Sequence, residues 1–180
     1  GFYENLFERS SIIQEKKPKF VFDKTPRYIT QLATVQTRLD LTAIVLIKDP
    51  RSLALSDFKR SGTKIEEIDD WYERWKHPKL LYMRSAYKGY LHAWESDRCK
   101  VVRLEDICFN AKDTVQSMFE FVKLEFNCEY LDLRSKRFGN TSGSSISVNS
   151  CMQFMTALPK HIQSKIKSDF SEFERWFYEF

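Results

Sequence analysis

The chain has 180 residues, 42% hydrophobic and 30% charged, with a net charge of +4 from 29 basic and 25 acidic side chains. That length and balance are ordinary for a soluble globular protein of one domain, residues 1–180, with a proper core. The charge is too mild for a nucleic-acid interface and suits an anionic small ligand or polymer instead, and no apolar run reaches the roughly 18–20 residues that span a bilayer.

In chain order, Phe2 to Lys17 has helical spacing, with Phe2, Leu6 and Ile13 among polar residues. Lys19 to Asp23, KFVFD, reads as a short strand. Asp23-Lys24-Thr25-Pro26 then gives a strand end, a lysine, a capping threonine and a proline at the first helical position, with a helix running towards Leu39. Ala43 to Ile47, AIVLI, is a continuous apolar run rich in β-branched residues, the pattern of a strand buried on both faces. It stops at Lys48, after which Asp49 is a good N-cap, Pro50 suits the first helical turn, Leu53, Ala54 and Phe58 form an apolar face, and Gly62 ends the helix.

A lysine beside a helix N-terminus is a ready anion site, because free N–H groups and the helix dipole both favour negative charge. Ser52 and Ser56, one turn apart, add hydroxyl donors. An ordinary β–α unit with a solvated lysine has the same signature. Two such junctions predict a parallel sheet with a polar site along the carboxyl ends of its strands.

Thr63 to Trp75 reads as a polar helix-forming region and Leu80 to Ser96 as a second one, whose aromatic stripe of Tyr87, Tyr90 and Trp94 suits packing better than recognition. His77 and His92 show no acid or nucleophile partner and read as surface or satisfied histidines, and His161 likewise shows no partner. Cys99 to Leu104 is a third strand, Asn110 with Asp113 caps a helix, and Val115, Met118, Phe119 and Val122 give its apolar stripe. The four cysteines, Cys99, Cys108, Cys128 and Cys151, form no CxxC pair and no metal set. Reduced thiols in a cytoplasmic protein are the expectation, with a disulfide among them left open. Leu133 to Asn149 is basic and then rich in Gly and Ser, the composition of a loop. There Lys136, Arg137 and Gly139 suit a phosphate, and a flexible linker reads the same way. Leu158 to Phe180 is an amphipathic, aromatic helical region.

Three of these segments, in this order, resemble the sulfotransferase family, its carbohydrate-type members above all. VFDKTPRYI is similar to the family's EKTPxYF segment. IVLIKDPRSLALSDF resembles its strand–turn–helix of the sense IlRdPrerayS. VVRLEDICFNAKDTVQSMFEFVKLEF resembles its segment of the sense vlryEDLvadPeetlrrifeFLgL. Together they span roughly Lys19 to Phe126. The resemblance implies an α/β fold, a parallel sheet flanked by helices as in P-loop kinases. It implies 3′-phosphoadenosine 5′-phosphosulfate (PAPS) as sulfo donor, adenosine 3′,5′-bisphosphate (PAP) as product, no metal, and a hydroxyl or amine acceptor, a carbohydrate first. Lys48 and Ser56 then grip the nucleotide's 3′-phosphate, Lys24 is the catalytic cation on the acceptor side, and Lys136, Arg137 and Gly139 belong to a basic loop over the nucleotide. Glu105 and Asp106 match a structural pair.

Two departures matter. Lys48 stands where the family has arginine, which keeps the charge and loses the bidentate fork. None of the five glycines lies in the family's Gly-rich phosphosulfate loop, which, with a glutamate base, would precede Gly1. The expectation is the back part of a longer enzyme, in the Golgi lumen if a preceding segment carries an anchor. The alternative is a non-catalytic sulfotransferase-like module for binding or assembly. A nucleotide kinase is disfavoured, since no Walker A motif is present.

Overall fold

The computed structural model describes residue 5 and residues 8–17, 20–132 and 146–173. They are mostly helical around a small parallel sheet, broadly an α/β arrangement. Helix α1 is Ser11–Lys16, with the Ser10 hydroxyl accepting from the Ile13 N–H at 3.4 Å. After an extended stretch, a 3₁₀ turn over Pro26–Gln31 leads into α2, Leu32–Arg38. Strand β1, Ala43–Ile47, runs into α3, Pro50–Ser61, which Gly62 closes at φ 68° as a left-handed C-terminal residue. Then come α4, Ile68–Glu95, and β2, Cys99–Arg103, followed by α5, Leu104–Phe109, and α6, Ala111–Phe121. The last elements are α7, Val148–Met152, α8, Phe154–Ala157, and α9, Lys160–Asp169.

β1 and β2 pair in parallel, from Ala43 opposite Cys99 to Ile47 opposite Arg103, with α3 and α4 in the crossover. Ala43 and Val45 share a face with Cys99 and Val101, and that face packs on Ala86, Ala93 and the half-buried Tyr90 of α4. The opposite face is covered unevenly: Val102 is buried, whereas Leu46 is 53% exposed. The expectation of a strand buried on both faces therefore fails at Leu46, because the described helices after β2 pack chiefly on β2.

The stretch expected as a first strand is corrected too. Phe20 to Phe22 belong to no strand and are exposed, Phe22 at 72%. Asp23 folds the stretch on itself, accepting from Thr25 Oγ1 at 3.0 Å and from Tyr28 Oη at 2.8 Å. Such local side-chain bonds compete with sheet pairing. The Thr25 side chain makes no capping bond, and the following segment begins as a 3₁₀ turn. Asn110 departs in the same way, its amide donating to Asp113 at 3.0 Å with no bond to the helix backbone.

The main core lies between α3, α4, α8 and α9, where Leu55, Phe58, Trp71, Tyr72, Phe154, Ile162, Ile166 and Phe170 are buried together. Its aromatics interlock. Phe58 meets Trp71 edge-on at 5.1 Å, Trp71 stacks on Trp75 at 5.4 Å, and Trp75 meets Phe170 at 5.5 Å. The predicted stripe divides accordingly: Tyr90 and Trp94 pack on the core, while Tyr87 is exposed. The two regions expected on either side of Trp75–Leu80 form one helix that runs through Pro78. Gly89 lets the 3₁₀ turn dock on α4, since a Cβ there would stand 1.6 Å from the Ile29 carbonyl oxygen.

Candidate functional site

Lys48 leaves the sheet at the carboxyl end of β1 and enters a cleft of about 280 Å³ on the flank of α3. Three cations line it, Lys48, Lys59 and Arg60, together with Ser52, Ser56, Gln153 and the apolar Leu55. Among the described residues no carboxylate lines it, so the cleft suits an anion. Of the sequence-predicted residues, the fold brings Lys48 and Ser56 together here. Lys24 lies on the exposed stretch before the 3₁₀ turn and does not line the cleft. Lys136, Arg137 and Gly139 lie outside the described residues.

The helix end itself is not the open anion site that the sequence suggests. Asp49 is buried and its carboxylate accepts from the Arg51 N–H at 2.7 Å. Arg51 returns to the same carboxylate through Nε and Nη2, at 3.0 and 2.6 Å, and lies 4.4 Å over the Phe154 ring. The Asp49 N–H donates to Glu105 Oε1 at 3.1 Å, which ties the end of β1 to the start of α5. Glu105 is thus a structural partner of the junction. The Ser52 hydroxyl donates to the Cys151 carbonyl, so its hydrogen is committed. With the Asp49 and Arg51 N–H groups taken by the protein's own carboxylates, the positive charge in the cleft is that of side chains.

Burial lowers the pKa of Lys48 below the ordinary lysine value, and the carboxylates of Glu105 and Asp57 oppose the shift. Lys59 donates to Gln153 Oε1, a neutral acceptor, at 2.7 Å. Arg60 pairs with Asp57, which also accepts from Lys79 and from Trp75 Nε1, each at 2.9 Å. Desolvation pushes Asp57 up, but these hydrogen bonds outweigh it and leave the carboxyl below its usual range.

Lys59, Arg60 and Gln153 were missed by sequence reasoning. Counting from Ser52, the positions of Ser56, Lys59 and Arg60 are i+4, i+7 and i+8, one helical face, so the two cations were there to be found by periodicity. Gln153 arrives from nearly a hundred residues away and left no local signal. His92 is a satisfied histidine, its Nε2 meeting Gln36 Oε1 at 2.7 Å, whereas His161, expected without a partner, meets Asp69 Oδ2 through Nε2 at 2.9 Å. Both contacts join separate elements, and His77 is exposed. Among the described residues no group of three or more His, Cys, Asp or Glu side chains could hold a metal ion, and no helix is long and apolar enough to cross a membrane. No family model, no curated protein and no solved structure matches this chain.

Proposed function

We propose that the chain is the nucleotide-holding part of a sulfotransferase that moves a sulfo group from PAPS to a hydroxyl or amine, with a carbohydrate as acceptor. One observation carries this: Lys48 and Ser56, the pair singled out by the resemblance, line one cleft with Lys59 and Arg60 and, among the described residues, no carboxylate. The sheet would then be part of a larger P-loop-kinase-like one. The 3′-phosphate sits between Lys48 and Ser56, Lys136, Arg137 and Gly139 cover the nucleotide, and Lys24 faces the acceptor and the sulfonate. In the transfer, the acceptor oxygen or nitrogen bonds to sulfur as the bond from sulfur to the phosphate oxygen breaks. PAP leaves and a base takes the acceptor's proton. Cations held in place stabilise the charge on the spectator oxygens, as in phosphoryl transfer.

Titration with PAP tests it. A charge-assisted hydrogen bond is worth about 1.5–3 kcal/mol, so Lys48→Ala is expected to weaken binding roughly ten- to hundredfold. Equal affinity in the variant and the parent removes Lys48 from the site. Tight binding of PAP with no sulfo transfer to any acceptor would favour the non-catalytic module.

A further inference from the structure

The cations of the cleft differ in what they hold. Arg60 leans back along α3, its Nε donating to the Ser56 carbonyl at 3.3 Å, and its Nη2 pairs with Asp57. That carboxylate also accepts from Lys79 and Trp75, so Arg60 belongs to the junction of α3 with α4. Lys59 instead donates to Gln153 Oε1 at 2.7 Å, an acceptor without charge. Helical side chains tilt toward the N-terminus, so Lys59 leans towards the turn that carries Ser56. It follows Ser56 by three residues, about 4.5 Å of helix rise, and an anion on the Ser56 hydroxyl is within its reach.

Gln153 adds donors of its own. An ammonium only donates, so the amide presents its oxygen to Lys59 and keeps the two N–H groups of Nε2 for another acceptor. Its place is fixed from both sides. Cys151 is fully buried, its carbonyl accepting from Ser52 Oγ, and Phe154 is buried with Arg51 4.4 Å over its ring. Between these anchors Gln153 is exposed and lines the cleft.

We propose that Lys59 and Gln153 are ligands of a phosphate monoester dianion in the cleft, completing a set of four with Lys48 and Ser56. On the anion-binding reading of the cleft, which it presupposes, this set offers two ammonium groups, a hydroxyl and an amide. Two cations match the double charge of a phosphate monoester, and the donors serve its three terminal oxygens. A carboxylate, with one charge and two oxygens in a plane, leaves part of the set unused. Gln153 is also the positioning residue of Lys59, and its neutrality is essential there. A glutamate in its place would pair with Lys59 and repel the anion.

The test follows backbone amide chemical shifts of residues 52–60 and 151–154 while the folded chain is titrated, just above neutral pH, with inorganic phosphate, acetate and PAP. Phosphate is expected to bind at least tenfold more tightly than acetate. Lys59→Ala should weaken phosphate binding about tenfold, Gln153→Ala about threefold and Gln153→Glu more than about tenfold. Lys64→Ala, off the cleft, should change it less than about twofold. Lys59→Ala and Gln153→Ala combined should cost less than the product of the two, because Gln153 acts partly through Lys59. Both residues are exposed, so unchanged urea midpoints separate a lost ligand from a lost fold. Phosphate and acetate bound alike, or phosphate binding indifferent to Lys59→Ala and Gln153→Glu, overturns the proposal. If PAP binds no better than phosphate while both effects persist, the sulfotransferase reading fails and this one stands. If PAP binding depends on Lys48 but on neither Lys59 nor Gln153, the reverse follows, and a parent chain that binds neither anion overturns both.

Discussion

Lys48 holds its charge in a partly desolvated place, and its pKa is therefore lowered. A phosphate beside it would favour the charged form and raise that pKa again. Binding then takes up protons in the window between the two values, and affinity falls as pH rises through it. Calorimetry of PAP binding in two buffers of different protonation enthalpy, on the alkaline side of neutrality, should show that uptake. Lys48→Arg should show none, because a guanidinium stays protonated throughout. An uptake that persists in the arginine variant would belong to another group. Gly89 is the second residue on which much depends. Gly89→Ala must separate α4 from the Ile29 carbonyl, since backbone faces backbone and neither can rotate away. A loss of about 1–3 kcal/mol in urea unfolding is expected, the usual cost of overpacking. A variant as stable as the parent would show that the turn undocks without cost.

Among the elements, α4 defies its own sequence. Pro78 removes a backbone donor and crowds the carbonyl one turn before it, which costs about 3 kcal/mol in a helix interior. The helix continues because Ile68, Trp71 and Tyr72 before the proline and Met83 after it are buried in one core. Pro78 itself is exposed. Pro78→Ala is therefore expected to stabilise the chain by about 1–3 kcal/mol, read as a higher denaturation midpoint at unchanged m-value. A lower midpoint would mean that the proline serves the native geometry of the helix. The expected break after Trp75 was a sound local inference overruled by burial on both sides.

At the scale of the molecule, carboxylates join pieces that hydrophobic contact alone leaves loosely oriented. Asp57 ties α3 to α4 through Trp75 and Lys79. Asp69 ties α4 to α9, accepting from Lys165 at 2.7 Å and from His161. Hydrogen bonds from Lys165 and His161 hold Asp69 below its usual range, and Asp57 is also lowered. A carboxyl with a depressed folded pKa adds stability that is present above its unfolded value, roughly 3.9, and is lost as pH falls through the folded value. Stability should therefore fall on acidification from about pH 4 downward. The double variant Asp57→Asn, Asp69→Asn should be less stable at neutral pH and show a shallower acid limb. An acid limb of undiminished slope would assign it to other carboxylates.

What the sequence alone determined is local. The apolar run of β1, the Asp49 cap, the Gly62 stop and the apolar spacing of Ile162, Ile166 and Phe170 each encode their element through neighbours within a turn or two. That Lys48, Ser52 and Ser56 lie on one side of the strand–helix junction was legible for the same reason. Only the tertiary structure decided the rest. It left Phe20 to Phe22 outside the sheet, carried α4 through Pro78, and set Glu105 and Asp49 against each other across the two strand ends. It also brought Gln153 and Cys151 to the cleft from the far end of the chain. Such contacts depend on which surfaces meet once apolar area is buried, and that competition between distant segments has no signature in the spacing of any one of them.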